Sequence, residues 1–173
     1  AAGLSTTFVD VLVKDVPPEH HQDLDYIIGM LDWESNVDPE FASNRLFHPI
    51  PVKDEAEMNA EGYSEQWIVR TTPYYSAKEL TVLPGRTVTI KDPAAYGLIL
   101  TQGYGTMGNY EVETPDMIRF GQMTKDELFV SAAAAQAGVK ITNKSDKENL
   151  VMLKHFGPGN PDMAQYINPK YLS

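Results

Sequence analysis

From Lys78 to Phe156 the chain is a succession of short β-like runs separated by Gly, Pro, Asn or Asp. Glu79-Leu-Thr-Val-Leu-Pro-Gly-Arg-Thr-Val-Thr-Ile-Lys91 opens the series. Tyr96-Gly-Leu-Ile-Leu-Thr-Gln-Gly103 continues it, and Leu150-Val-Met-Leu-Lys-His-Phe156 closes it. Runs this short, rich in Val, Ile, Leu, Thr and Tyr and punctuated at regular intervals, bury one face each in a two-sheet sandwich or barrel. The stretch therefore predicts a mainly β fold before anything else in the chain is considered.

The rest of the chain is different in character. Residues 1–65 hold 14 acidic and 3 basic side chains, whereas residues 66–173 hold 10 acidic and 11 basic. Neither part offers the basic surface that phosphate neutralisation requires, so nucleic acid is not an expected partner. No apolar run approaches the roughly 20 residues of a membrane-spanning helix, and no membrane partner is expected. The chain has no cysteine, which removes disulfides, thiolate nucleophiles and Cys-ligated metals and fits a cytoplasmic location.

Along the N-terminal region, Phe8 to Val13 alternates weakly and reads as a short strand. Pro17 and Pro18 stand where a helix would start, and Leu24, Ile27, Ile28 and Leu31 follow at helical spacing on one face. From Trp33 to Gly62 no period emerges. That segment reads as an extended arm pinned on the barrel by Trp33, Phe41, Phe47 and Ile50, with Asp54-Glu-Ala-Glu57 as a solvated acidic run. The expected organisation is an acidic arm over 1–64 carrying one amphipathic helix, a barrel over 65–157 and an irregular tail over 158–173. Within the barrel, strands are expected at 65–70, 74–82, 87–90, 96–102, 106–112, 117–120, 127–130, 139–143 and 150–156. One helical turn over the Ala-rich 131–138 is expected to close at Gly138.

Four short segments resemble the cupin superfamily: Leu83-Pro-Gly85, Leu98-Ile-Leu-Thr-Gln-Gly103, Ile118-Arg-Phe-Gly121 and Gly138 to Asn143. Within it, Glu65-Gln-Trp67 followed by Tyr74-Tyr-Ser-Ala-Lys-Glu-Leu-Thr-Val82 is similar to the C-terminal cupin domain of type I phosphomannose isomerase-like proteins. The resemblance implies a cupin-type double-stranded β-helix, a jelly-roll barrel with an N-terminal helix and extended arm. It also implies frequent dimers, so a homodimer is expected. Many cupins hold a divalent metal through two His and one Glu in a first motif and one His in a second. The family's spacing puts Lys91 and Pro93, Tyr96 and Val139 at those places, so no metal and no cofactor is expected here.

With the metal positions emptied, the resemblance leaves two functions from different classes. One is a metal-free, non-catalytic barrel with a structural, self-association or small-ligand role, as a module of a larger sugar-isomerase-like protein. Lys91, Tyr96, Gln102, Lys140 and Asn143 would then form a polar mouth for a sugar or carboxylate. The other is a metal-independent sugar or sugar-phosphate isomerase or epimerase, in which His155 and Tyr96 would supply the acid–base pair. The remaining His residues read as structural: adjacent His20 and His21 point about 100° apart on a helix and cannot chelate together.

Overall fold

A period of two in burial governs nearly every strand from Tyr63 onward and fixes which side chains enter the core. The computed structural model describes residues 14–167, and the chain divides into two compact units between Leu46 and Phe47. The run expected at 8–13 lies outside the described residues. The division falls ahead of the charge change at residue 65, so the residues just after Phe47 belong with the barrel.

The first unit is a set of short helices. A 3-10 turn, Pro18–His20, has Pro at its start, and α1 (Leu24–Gly29), α2 (Trp33–Asn36) and α3 (Phe41–Arg45) follow. Asp23 accepts the Tyr26 N–H and Asp32 the Ser35 N–H, each capping the helix that follows it. The expected amphipathic helix is therefore interrupted after Gly29, where Asp32 begins a new one. Trp33, Phe41 and Phe47, expected as anchors, are exposed, while Ile50 is half-buried against the core.

In the second unit, β1 (Ile50–Pro51) precedes α4 (Glu55–Glu61), which was not expected. Asp54 accepts the Glu57 N–H, Gly62 closes the helix at φ 95°, and Met58 is buried beneath it. The acidic run is thus a helix N-terminus, where carboxylates oppose the positive end of the helix dipole.

The strands that follow are β2 (Tyr63–Val69), β3 (Ser76–Val82), β4 (Thr87–Ile90), β5 (Tyr96–Gln102), β6 (Tyr104–Met107), β7 (Tyr110–Glu113) and β8 (Glu127–Val130). After α5 (Ala132–Ala137) come β9 (Val139–Asn143) and β10 (Leu150–Phe156). All pairings are antiparallel. Six strands order as β1-β2-β3-β10-β5-β8 and four as β4-β9-β6-β7, a two-sheet antiparallel jelly roll. Leu80, Val82, Leu98, Leu100, Ile141 and Met152 from the two sheets meet in one core.

Two expectations over 106–120 are corrected. The single strand at 106–112 is a hairpin, because Gly108-Asn109 forms a two-residue turn with Gly108 at φ 58° and Met107 opposite Tyr110. The strand at 117–120 is an exposed loop. Asp116 accepts the N–H groups of both Met117 and Lys125, so side-chain bonds replace a ladder there. In the tail, Asn160 and Met163 are buried, and Asn160 donates to Ser76 Oγ at 3.2 Å.

Candidate functional site

Inward positions of strands are normally apolar, yet Glu65 on β2, Lys78 on β3 and Lys154 on β10 are buried. Lys78 and Lys154 are direct cross-strand partners on the core face. Two ammonium groups placed opposite each other repel, and Asp92, in the turn after β4, lies where it relieves this. Lys78 Nζ donates to Asp92 Oδ1 at 2.7 Å and Lys154 Nζ to Asp92 Oδ2 at 2.6 Å. Glu65 Oε1 contacts the Lys154 ammonium as an ion pair without hydrogen-bond alignment. Asp162, on the rim, lies 3.6 Å from Lys78 Nζ. Asp92 is itself held by its N–H bond to Ala135 O at 3.1 Å, which ties the ionic cluster to α5.

Aromatic rings wall the cluster. Lys78 Nζ stands 4.4 Å from the Trp67 ring centroid and Lys154 Nζ 5.1 Å from that of Tyr96, with Phe156 beside both. Burial pushes the Asp92 carboxyl up, but Lys154 and Lys78 more than offset this and hold it below its usual value. Burial pushes Lys78 down, and Glu65, Asp92 and Asp162 more than offset that, leaving it above its usual value. The Tyr96 phenol is pushed up, first by burial and then by Asp92 and Glu65, and its buried hydroxyl has no hydrogen-bond partner among the described residues.

A divalent cation does not fit this set. It would need the carboxylates of Asp92 and Glu65, both already engaged by ammonium groups that would repel it. Among the described residues no three His, Cys, Asp or Glu side chains gather as a metal cluster. Of the family's ligand positions, Lys91 is exposed, Pro93 and Val139 are half-buried and Tyr96 is in the core.

The expected site residues lie on several surfaces. His155 is on the outer face of the six-stranded sheet, its ring resting on Gly97, where a Cβ would come within 2.0 Å of Nε2. It lines a shallow cleft of about 410 Å³ with Phe129 and Pro158. Tyr96, one residue before Gly97, points the opposite way and is only 1% exposed. Gln102 and Lys140 are exposed. Asn143 is buried and internally used: its amide donates to Val82 O and Glu148 O, and its oxygen accepts the Ser145 N–H.

The sequence reading missed Glu65, Lys78, Asp92 and Lys154. A signal was present, since Ser76, Lys78, Leu80 and Val82 share one face of β3 and Leu150, Met152, Lys154 and Phe156 one face of β10. A lysine on an otherwise apolar face marks a charge that must find partners inside.

No protein-family model matches the chain, and no curated protein matches it. Solved structures do. An RmlC-like cupin protein of Ralstonia eutropha is similar at 7% identity and TM-score 0.40, over 64% of this chain and 63% of that one, just under two thirds of its length. A cupin-2 domain protein of Rhodospirillum rubrum is similar at 15% identity and TM-score 0.41, over 68% and 79%. A cupin 2 domain-containing protein of Halorhodospira halophila is similar at 15% identity and TM-score 0.40, over 70% and 90%. These likenesses say nothing of what the chain binds or transforms.

Proposed function

We propose that the barrel is a non-catalytic module whose interior is a structural core and whose contacts with small molecules or other chains are made from its outer surface. The observation that carries this reading is the closed Lys78–Asp92–Lys154–Glu65 network at the centre of the barrel. General acid–base work requires a group within hydrogen-bonding reach of a substrate proton. These four side chains are buried and spend their charges on one another. The rival acid–base pair has its members on opposite faces, His155 outside and Tyr96 inside.

The similarity of Glu65-Gln-Trp67 and Tyr74 to Val82 to phosphomannose isomerase-like proteins supports a place as an accessory barrel in a sugar-isomerase-like assembly, self-associating or holding a small ligand. The test is elemental analysis of untagged protein together with an isomerisation assay on hexose phosphates. The expected result is transition metal far below one per chain, a melting temperature unchanged by EDTA, and no turnover. Near-stoichiometric metal, or turnover lost in His155→Ala or Tyr96→Phe, overturns the reading.

A further inference from the structure

β8 ends one sheet and β7 the other, and no ladder joins these two edges. In the gap lies a groove of about 510 Å³, within the range of roughly 300–1,000 Å³ typical of small-ligand sites. Its floor includes Met107 and Val130, both core residues. Phe129, 74% exposed, and Tyr110 stand on its two sides, and α5 closes one end with Ala134 and Ala137. Exposed aromatic and aliphatic groups around a concavity leave apolar surface in water that a ligand would cover.

One charged residue lines this groove, Lys140. A second lysine lies against the groove's lining. The Lys91 stem packs on Gly138, with Cγ 3.2 Å from where a Cβ would be, and Gly138 also lines the groove. Among the described residues neither lysine has a carboxylate at ion-pair distance, in a chain whose net charge is −10. An apolar trough with unpaired positive charge at its margin is complementary to a molecule with an apolar body and one negative head.

We propose that this groove is a binding site for a small amphipathic anion, its hydrocarbon part lying over Met107 and Val130 and its carboxylate meeting Lys140, with Lys91 against the groove's lining. This deepens the reading of the barrel as a module that works from its outer surface. Its failure is separable from that reading's, because the groove shares no residue with the ionic cluster and octanoate binding is read independently of metal content and turnover.

The experiment is isothermal titration calorimetry of the full chain with octanoate, 1-octanol and octylammonium. Octanoate is expected to bind one per chain. Lys140→Gln should bind it about fivefold more weakly, as loss of a surface ion pair worth about 1 kcal/mol gives. Octanol should bind with similar weakness, and octylammonium more weakly still. Ala137→Trp, at an exposed position, should fill the groove and abolish binding with an unchanged melting temperature, and Ala134→Trp replaces it if that variant is destabilised. Absence of octanoate binding, equal binding of octanol, or full binding by a folded tryptophan variant overturns the proposal.

Discussion

Lys154 is completely buried, and it is stable there only because Asp92 and Glu65 lie within contact. Removing one member of a buried ionic set leaves an uncompensated charge and costs about 3–5 kcal/mol. Asp92→Asn keeps the shape and removes the charge that both lysines share, so the unfolding free energy measured by urea titration should fall by that order at neutral pH. The pH dependence follows from sign. Asp92 has a folded pKa below 3.8, so its contribution is complete above about 3.8 and is lost as pH falls through the folded value. Lys78 has a folded pKa above 10.5, so its contribution is complete below 10.5 and is lost as pH rises beyond it. The difference between wild type and Asp92→Asn should therefore be constant in the neutral range and shrink below pH 3.8. A difference that does not change with pH would place the cause in packing. The cluster escaped the sequence reading because Asp92 joins it through a turn, and no local pattern states which strands that turn will face.

At the level of elements, the strands at 87–90, 96–102, 127–130, 139–143 and 150–156 lie where their alternation and punctuation put them. Which face points inward was harder to read. In β10, Val151 and Leu153 are apolar beside His155, and Leu150, Met152 and Phe156 are apolar beside Lys154, so the local sequence permits either phase. Burial of Leu150, Met152 and Phe156 decides it, and turns His155 outward. Two glycines show how tightly neighbouring strands are set. A Cβ on Gly105 of β6 would meet the backbone oxygen of Thr142 at 2.0 Å, and one on Gly97 of β5 would meet the movable ring of His155 at the same distance. Gly105→Ala should cost about 1–3 kcal/mol and resist rescue by any side-chain change. Gly97→Ala should recover most of its loss in the double variant with His155→Ala, measured by denaturant unfolding. Equal rescue of both, or of neither, would show that these contacts do not set the cost.

For the whole molecule the dominant electrostatic fact is the excess of carboxylates, all of it before residue 66. Repulsion among exposed charges is screened within about 10 Å at 0.1 M salt, whereas the interior ion pairs are shielded from it. The melting temperature should rise when sodium chloride is increased from about 10 to 150 mM. A fall would mean that surface ion pairs such as Lys144–Glu111 outweigh the repulsion. The charge asymmetry and the β architecture were legible from composition and spacing. The groove was not, because consecutive strands β7 and β8 enter different sheets whose edges fail to meet, and no local pattern states which sheet a strand will join.

The ionic core also restricts how such a sequence can change over generations. Lys78, Asp92, Lys154 and Glu65 balance to neutrality in a space closed to water. Any one replacement that alters charge strands a partner, so viable descendants are reached through paired exchanges of opposite sign or through conversion of the whole set to apolar residues of like volume, a swap that can even stabilise. Drift at these four positions is coupled, while the exposed strand faces remain free to wander one residue at a time.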